Sequence, residues 1–277
     1  MTEGEVWARR ILAELRDAGF RPRAWGRFLD ASFERAALVR RSHATAHRQV
    51  LVGAGAGVIV FGAVAALGRP GLALAGVAWH LALAVMVDWH LGMLERRDGS
   101  ALAGLGRANA ITLVRAAVIP ALFALDASGL LLGLVVLAAL DVLDGAVARR
   151  RDERTRLGAW LDGSTDTLVG LAVALAAFRL GVIPPLLVAL VLLRVGVPWI
   201  LLLRTYFLTP CPFAVDGGLR DDGIAARVPG IVAAVGVGLA LAGTGIGVPL
   251  AIVGVSASIV QAVVAAAGVQ RGVGAER

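Results

Sequence analysis

Two pairs of aspartates stand near the middle of the chain, on either side of an arginine-rich segment. Asp141 and Asp144 are three residues apart, and Asp162 and Asp166 are four residues apart. On an α-helix, both spacings place the two side chains on one face. Carboxylate oxygens are the ligands that Mg²⁺ and Mn²⁺ prefer, often together with the phosphates of a substrate. The four aspartates therefore predict a site in which divalent cations hold a phosphorylated substrate.

The residues that follow the first pair suit the same chemistry. Gly145 and Ala148 have almost no side chain, which leaves room for a ligand beside the helix backbone. Arg149 comes next and can pair with phosphate oxygens. The alternative is a solvated turn whose acids pair with neighbouring arginines. Two helical pairs, small residues and an arginine in one segment favour the metal site over that alternative.

The composition predicts that these residues belong to an integral membrane protein. Of the 277 residues, 58% are hydrophobic and 17% are charged, whereas soluble domains are nearer half apolar and a quarter charged. The formal charge is +7, and all 27 basic side chains are arginines that cluster between apolar runs. Such clustering is typical of membrane topology and argues against a nucleic-acid partner. The single cysteine, Cys211, excludes an intrachain disulfide.

Eight apolar segments are predicted as membrane-spanning helices, for which about 20 residues are needed. They are residues 50–67, 72–94, 109–125, 129–148, 160–180, 183–203, 225–243 and 246–268. Arginines concentrate in every second connection, notably 95–107, 149–157 and 204–227, while the intervening turns carry little positive charge. By the positive-inside rule, both termini and the arginine-rich loops are predicted to face the cytoplasm.

Residues 1–48 precede the first predicted span and lack the apolar stretch of a secretory signal. Trp7, Ile11 and Leu15 recur at helical spacing among arginines. A second apolar stripe contains Trp25, Phe28, Leu29 and Phe33. Such stripes predict helices that lie on an anionic membrane surface, with a small soluble helical extension as the alternative.

Histidines outside the acidic segment give weaker signals. His43 and His47 have a spacing that suits a metal, but their basic surroundings favour a solvated helix face. His80 and Asp88 lie in the second predicted span and are interpreted as structural groups, although they could also approach the site.

The acidic segment fits one long gapped pattern, D-x2-D-G-x2-A-R-x8-G-x3-D-x3-D. The matching residues are Asp141, Asp144, Gly145, Ala148, Arg149, Gly158, Asp162 and Asp166. In this pattern the sequence resembles the CDP-alcohol phosphotransferases, also called the CDP-alcohol phosphatidyltransferase family. Upstream, Asn109, Thr112 and Arg115 match the family's entry to its first core helix, P-N-x-[LI]-T-x-x-R, whereas Ala108 replaces the usual proline.

The resemblance covers about residues 105–268 and implies a six-helix core. The predicted fold is thus an all-α polytopic membrane protein with three parts. Residues 1–48 form the interfacial segment, 49–104 two additional spans, and 105–277 the catalytic core with a short tail. The extra pair of spans departs from the minimal family core. Because family members are often homodimers, a homodimer within the lipid bilayer is expected.

The resemblance also implies a reaction. Family members cleave the diphosphate of a CDP-linked alcohol, transfer the phosphoalcohol to a hydroxyl and release CMP. By position, Asp141, Asp144 and Asp162 are expected to bind two Mg²⁺ or Mn²⁺ ions. Asp166 is expected to be the general base and also a metal ligand. The CDP moiety is expected to contact Asn109, Thr112, Gly145, Ala148, Arg149 and Gly158.

The expected donor is CDP-diacylglycerol, whose acyl chains can stay in lipid, and the expected acceptor is a small polar alcohol. The product would then be a phospholipid. A phosphorylated acceptor, such as glycerol 3-phosphate or inositol phosphate, would need further cations. The candidates are Arg115, Arg194 and Arg204. Arg194 lies inside an apolar span, so a structural pairing with a buried polar group is its alternative role.

Three other functions stay open at this point. The transfer could run from a CDP-linked head group to a lipid hydroxyl. A metal-dependent membrane prenyltransferase also binds a diphosphate through aspartates, but the Asp-Gly and Ala-Arg elements have no place in such a site. A transporter or scaffold with a regulatory cation site, or a relative that has lost activity, is the third, and the presence of all four aspartates speaks against it.

Overall fold

The computed structural model describes the backbone of residues 3–96, 98–208 and 224–275, and their side chains except those of 224–226 and 265–275. These residues form helices and a single isolated bridge between Glu95 and Ala101, which confirms the predicted all-α fold. The helices are α1 (Glu3–Asp17), α2 (Pro22–Ser42), α3 (Ala44–Ala66), α4 (Pro70–Trp89), α5 (Arg107–Ala117), α6 (Ala127–Arg150), α7 (Arg156–Arg179), α8 (Pro185–Leu208), α9 (Ile224–Leu241) and α10 (Gly247–Ala275). Short 3₁₀ helices occur at Leu91–Met93 and Ile119–Ala124.

Seven segments of the described chain are long and apolar enough to cross a membrane. They are α3, α4, α5 with the 3₁₀ helix after it, α6, α7, α8 and the described part of α10. Each of the eight predicted segments overlaps a helix, and the part of α9 whose side chains are described, Arg227–Leu241, is a shorter apolar helix. The described residues therefore supply seven candidate spans, and an eighth span at α9 stays a prediction. The protein is an integral membrane protein.

These helices expose many large apolar side chains and bury several polar ones. Ile59, Leu132 and Ile200 are 74%, 65% and 66% exposed, whereas Asn109 and Arg115 are buried. A soluble protein has the opposite arrangement. Helices in lipid keep polar side chains towards protein partners, because hydrocarbon cannot solvate them.

The described residues divide into two compact units. Counted over the described residues alone, the first takes in those of 3–120, 140–165 and 207–208, and the second those of 121–139, 166–206 and 224–275. Helices α6 and α7 each contribute to both units.

In the first unit, the α3–α4 hairpin packs against the elements that carry the acidic segment. One buried apolar cluster contains Ala46, Val50, Val87, Leu91, Leu94, Leu105, Leu157 and Leu161. Gln49 Oε1 accepts the backbone N–H of Leu105 at 2.8 Å, just before α5. Trp79 Nε1 donates to the carbonyl of Ala116 at 2.8 Å, near the end of α5. The hairpin thus contacts both ends of α5 as well as the start of α7.

The amphipathic helices α1 and α2 also belong to the first unit. Ile11 and Leu15 of the predicted stripe are buried, and Arg35 of α2 forms an ion pair with Glu3 of α1 at 3.0 Å. In the second stripe, the ring centroid of Trp25 lies 5.4 Å from that of Phe207. Neither helix is among the candidate membrane spans. Their position on a membrane surface stays a prediction.

In the second unit, α9 and α10 lie in backbone contact. Gly236 of α9 and Gly247 and Gly254 of α10 face the backbone of the other helix so closely that an added Cβ would overlap it. Small residues of this kind allow transmembrane helices to approach each other closely.

Candidate metal and phosphate site

Three of the four predicted aspartates lie together in the first unit. Asp141 and Asp144 project from the last turns of α6, and Asp162 projects from the second turn of α7. One carboxylate oxygen from each lies within 4.8 Å of the other two. Asp166 follows Asp162 by one turn on α7, belongs to the second unit and is exposed.

A single guanidinium nitrogen meets all three carboxylates. Arg115 Nη1 on α5 is 2.8 Å from Asp141 Oδ1, and 3.1 Å from both Asp144 Oδ2 and Asp162 Oδ1. Thr112 Oγ1 donates to the same oxygen of Asp144 at 2.8 Å. We refer to Asp141, Asp144 and Asp162 with Arg115 as the acidic cluster. Three carboxylates surround one guanidinium, so the cluster has excess negative charge when its acids are ionised. A set of converging carboxylate oxygens with excess negative charge fits a divalent cation.

Asn109 and Gly158 meet where α5 packs against the beginning of α7. Asn109 is buried, and its Nδ2 donates to the Leu105 carbonyl at 2.7 Å. A Cβ on Gly158 would lie 2.6 Å from Asn109 Oδ1, so only glycine permits this approach without rearrangement. Gly158 therefore has a packing contact with Asn109, and its contact with a nucleotide stays a prediction.

Thr155 is a residue of this site that the sequence analysis missed. Its Oγ1 accepts the backbone N–H of Gly158 at 3.0 Å, which is the bond of an N-cap at the start of α7. The signal was available, because a threonine before an apolar helical run is a common helix start. This cap fixes the first turn of the helix that carries Asp162.

The small residues predicted to admit a nucleotide lie on a half-buried face of α6. Gly145 and Ala148 are partly exposed, and Arg149 is exposed at the end of the helix. The Arg149 guanidinium lies over Gly145. Its Nη1 is 3.3 Å from the point where a Cβ of Gly145 would be. Arg149 and the gap at Gly145 therefore adjoin each other beside the aspartates of α6.

The three arginines predicted to contact a second phosphate have different surroundings. Arg115 contacts the acidic cluster. Arg194 on α8 donates through Nε to Ser258 Oγ on α10, which is the structural pairing considered for it from the sequence. Arg204 is exposed near the end of α8. Of the three, the structure brings Arg115 to the carboxylates.

Comparison with known proteins assigns a family to the chain. The family model of the CDP-alcohol phosphatidyltransferases matches residues 105–266, more than half of the sequence and the part that contains the acidic cluster. No curated protein and no solved structure matches the chain. The matched range begins after the α3–α4 hairpin. Members of the family are transferases that use CDP-alcohol substrates in a membrane and generally depend on a divalent metal. The chain belongs to the CDP-alcohol phosphatidyltransferase family.

Proposed function

We propose that this protein transfers a phosphatidyl group from CDP-diacylglycerol to the hydroxyl of a small polar alcohol and releases CMP. The observation that supports the proposal best is the acidic cluster, whose three carboxylates converge within 4.8 Å on helices of a membrane protein. A lipid-linked diphosphate can keep its acyl chains in the hydrocarbon while its charged part reaches such a cluster.

In this proposal Asp141, Asp144, Asp162 and Asp166 hold two Mg²⁺ or Mn²⁺ ions. When bound, these ions neutralise the charge of the diphosphate and of the aspartates that face it. Asn109, Thr112, Gly145, Ala148, Arg149 and Gly158 are proposed to line the place of the CDP moiety. Arg149 has a planar guanidinium that suits phosphate oxygens, and its neighbour Gly145 leaves space beside the helix.

The chemical step is a substitution at the phosphorus atom that carries the diacylglycerol. The acceptor oxygen forms a bond to that phosphorus, the bond to the bridging oxygen of the diphosphate breaks, and its electron pair leaves with CMP. The acceptor proton passes to Asp166, which is exposed one turn beyond Asp162. Phosphoryl transfer needs mainly positioning and charge stabilisation, which carboxylates, metal ions and arginine can supply.

Topology and assembly are part of the same proposal. The arginine-rich connections are proposed to face the cytoplasm with both termini and the acidic cluster, in accordance with the positive-inside rule. The enzyme is proposed to reside in the cytoplasmic membrane as a homodimer. Arg115, Arg194 and Arg204 remain the candidate contacts for a phosphorylated acceptor, and Arg204 is the exposed one of the three.

An acceptor screen tests the proposal. Purified protein, CDP-diacylglycerol and Mg²⁺ or Mn²⁺ are incubated with glycerol 3-phosphate, inositol phosphate, inositol, serine or a phosphatidyl lipid, and CMP and the lipid product are followed. We expect acceptor-dependent CMP release that is lost in Asp166→Asn. Undiminished release by that variant would refute the role of Asp166. Turnover of a CDP-linked head group with a lipid hydroxyl, or release of inorganic diphosphate from a prenyl donor, would show a different reaction.

A further inference from the structure

The connection between α6 and α7 reaches back to the first turn of α5. Glu153 Oε2 accepts the backbone N–H of Arg107 at 2.7 Å and that of Ala108 at 3.1 Å. The first N–H groups of a helix have no acceptor within the helix, and the N-cap residue Gly106 has no side chain to offer. A carboxylate at this end also interacts favourably with the helix dipole. Glu153 therefore caps α5 from another part of the chain.

Gly106 has the backbone conformation and the small size that this contact requires. Its φ is +80°, a conformation that residues with a side chain rarely adopt, and a Cβ would lie 3.0 Å from Glu153 Oε2. A side chain at position 106 would therefore strain the backbone and also crowd the carboxylate. Glycine at this position leaves room for Glu153 to reach both N–H groups.

Ala108 gives the contact its chemical reason. Where the family pattern has proline, which lacks an N–H, this chain has a buried alanine whose N–H must find an acceptor. Glu153 accepts it, and the backbone N–H of Glu153 is itself bound to the carbonyl of Ala148 at the end of α6. Ala108 thus supplies a buried donor, and Glu153 supplies its acceptor.

The capped helix carries two side chains of the candidate site. Thr112 and Arg115 lie within about two turns of the capped end of α5 and bind the carboxylate of Asp144. We propose that Glu153 is a positioning residue: by fixing the start of α5 it holds Thr112 and Arg115 against the acidic cluster. The consequence for metal binding rests on the proposed function.

The test uses the full-length protein in detergent and three independent measurements. Hydrogen exchange of the amides of residues 106–110 reports on the cap itself. Direct binding of Mn²⁺ reports on the acidic cluster without catalysis, and CMP release reports on turnover. The variants are Glu153→Ala, Glu153→Gln, Gly106→Ala and the double variant Glu153→Ala with Ala108→Pro. Asp152→Asn is the matched control, because Asp152 is adjacent and exposed and asparagine tolerates its φ of +53°.

In Glu153→Ala we expect faster exchange at the start of α5 and Mn²⁺ binding about tenfold weaker, as for other residues that orient metal ligands. Glu153→Gln keeps an acceptor oxygen and should stay close to the parent, as should Asp152→Asn. Ala108→Pro removes one of the two donors and should restore part of the Mn²⁺ affinity. If Glu153→Ala does not fold, Gly106→Ala tests the contact from its other side and should also weaken Mn²⁺ binding.

Two results would overturn the inference. In the first, Glu153→Ala matches Asp152→Asn in both hydrogen exchange and Mn²⁺ binding, so there is no cap to lose. In the second, the amides at the start of α5 exchange faster in Glu153→Ala, but Mn²⁺ binding and CMP release are unchanged. The cap would then not position the cluster. A parent protein that binds Mn²⁺ but releases no CMP would contradict the proposed function instead.

Discussion

Two partly buried groups of charged side chains in the first unit combine acidic and basic residues in different proportions. In the acidic cluster, Arg115 faces three carboxylates. In the other, which we call the Asp88 group, the single carboxylate of Asp88 contacts Arg40 Nε at 2.5 Å and His47 Nδ1 at 2.6 Å. One group has more acids than cations, and the other has a basic partner for each oxygen of its one acid.

The difference separates a structural group from a candidate binding site. Buried charge is costly unless it is paired, and the Asp88 group meets this requirement with its own residues. It joins α2, α3 and α4 and needs nothing from outside. The acidic cluster keeps excess negative charge, which a cation can neutralise. If this contrast separates stability from function, changes in the two groups should have opposite effects.

The largest effect is expected from chelation. Excess EDTA should abolish CMP release from CDP-diacylglycerol, and added Mg²⁺ or Mn²⁺ should restore it, because the proposed mechanism needs the cations to neutralise the diphosphate. CMP release before and after metal addition is the measurement. Full turnover in EDTA would show that the acidic cluster does not act through a bound cation.

The second-largest effect is expected from a substitution within the acidic cluster. Asp162→Asn is expected to lower CMP release about 10³-fold and to weaken Mn²⁺ binding. The melting temperature should not fall, because the change removes one of three like charges while the amide oxygen can still accept from Arg115. A large loss of stability with normal Mn²⁺ binding would make Asp162 a structural residue.

Asp88→Asn should show the opposite profile. It leaves Arg40 and His47 without their anionic partner, and we expect a loss of about 2 kcal/mol in unfolding free energy, because breaking a partly buried ion pair strands its charge. Turnover of the folded fraction should stay within a few-fold of the parent. Denaturant titration in detergent and CMP release measure the two quantities. Lost turnover with unchanged stability would contradict the contrast.

The smallest effect is expected from His47→Gln. The amide can still donate to Asp88, and Arg40 remains as the partner of the other oxygen, so the loss should be below about 1 kcal/mol. The same denaturant titration serves here. A loss as large as that of Asp88→Asn would show that His47, rather than Arg40, carries the stabilising interaction.

The sequence predicted much of this arrangement because its signals are local. Apolar runs and arginine-rich connections predicted the helices, and the i, i+3 spacing predicted that Asp141 and Asp144 share a face of α6. The short connection between α6 and α7 predicted that Asp162 lies near them. Seven of the eight predicted segments overlap helices that are long and apolar enough to cross a membrane, and the eighth overlaps α9.

The contacts between distant segments were not predictable in this way. The interpretation of His47 as solvated is wrong, because its Nδ1 contacts Asp88. Asp88 is 41 residues away in sequence and comes close only when α3 and α4 pair. Asp88 was interpreted as a structural group, and its contacts with Arg40 and His47 agree with that interpretation. Arg115 was a candidate phosphate ligand from its charge, and only the packing of α5 against α6 and α7 shows the carboxylates that it contacts. Glu153 had no sequence signal at all, because its acceptor role depends on the backbone of a helix 45 or more residues earlier.

The backbone contact between α9 and α10 has a consequence for how this sequence can change over time. At Gly236, Gly247 and Gly254 even one methyl group would have to push two helices apart, whereas at Gly230 on α9 a Cβ has open space. Alanine, the substitution that most membrane helices accept readily, should therefore be excluded at the first three positions and permitted at the fourth. We therefore expect Gly236, Gly247 and Gly254 to stay glycine while the apolar residues around them change.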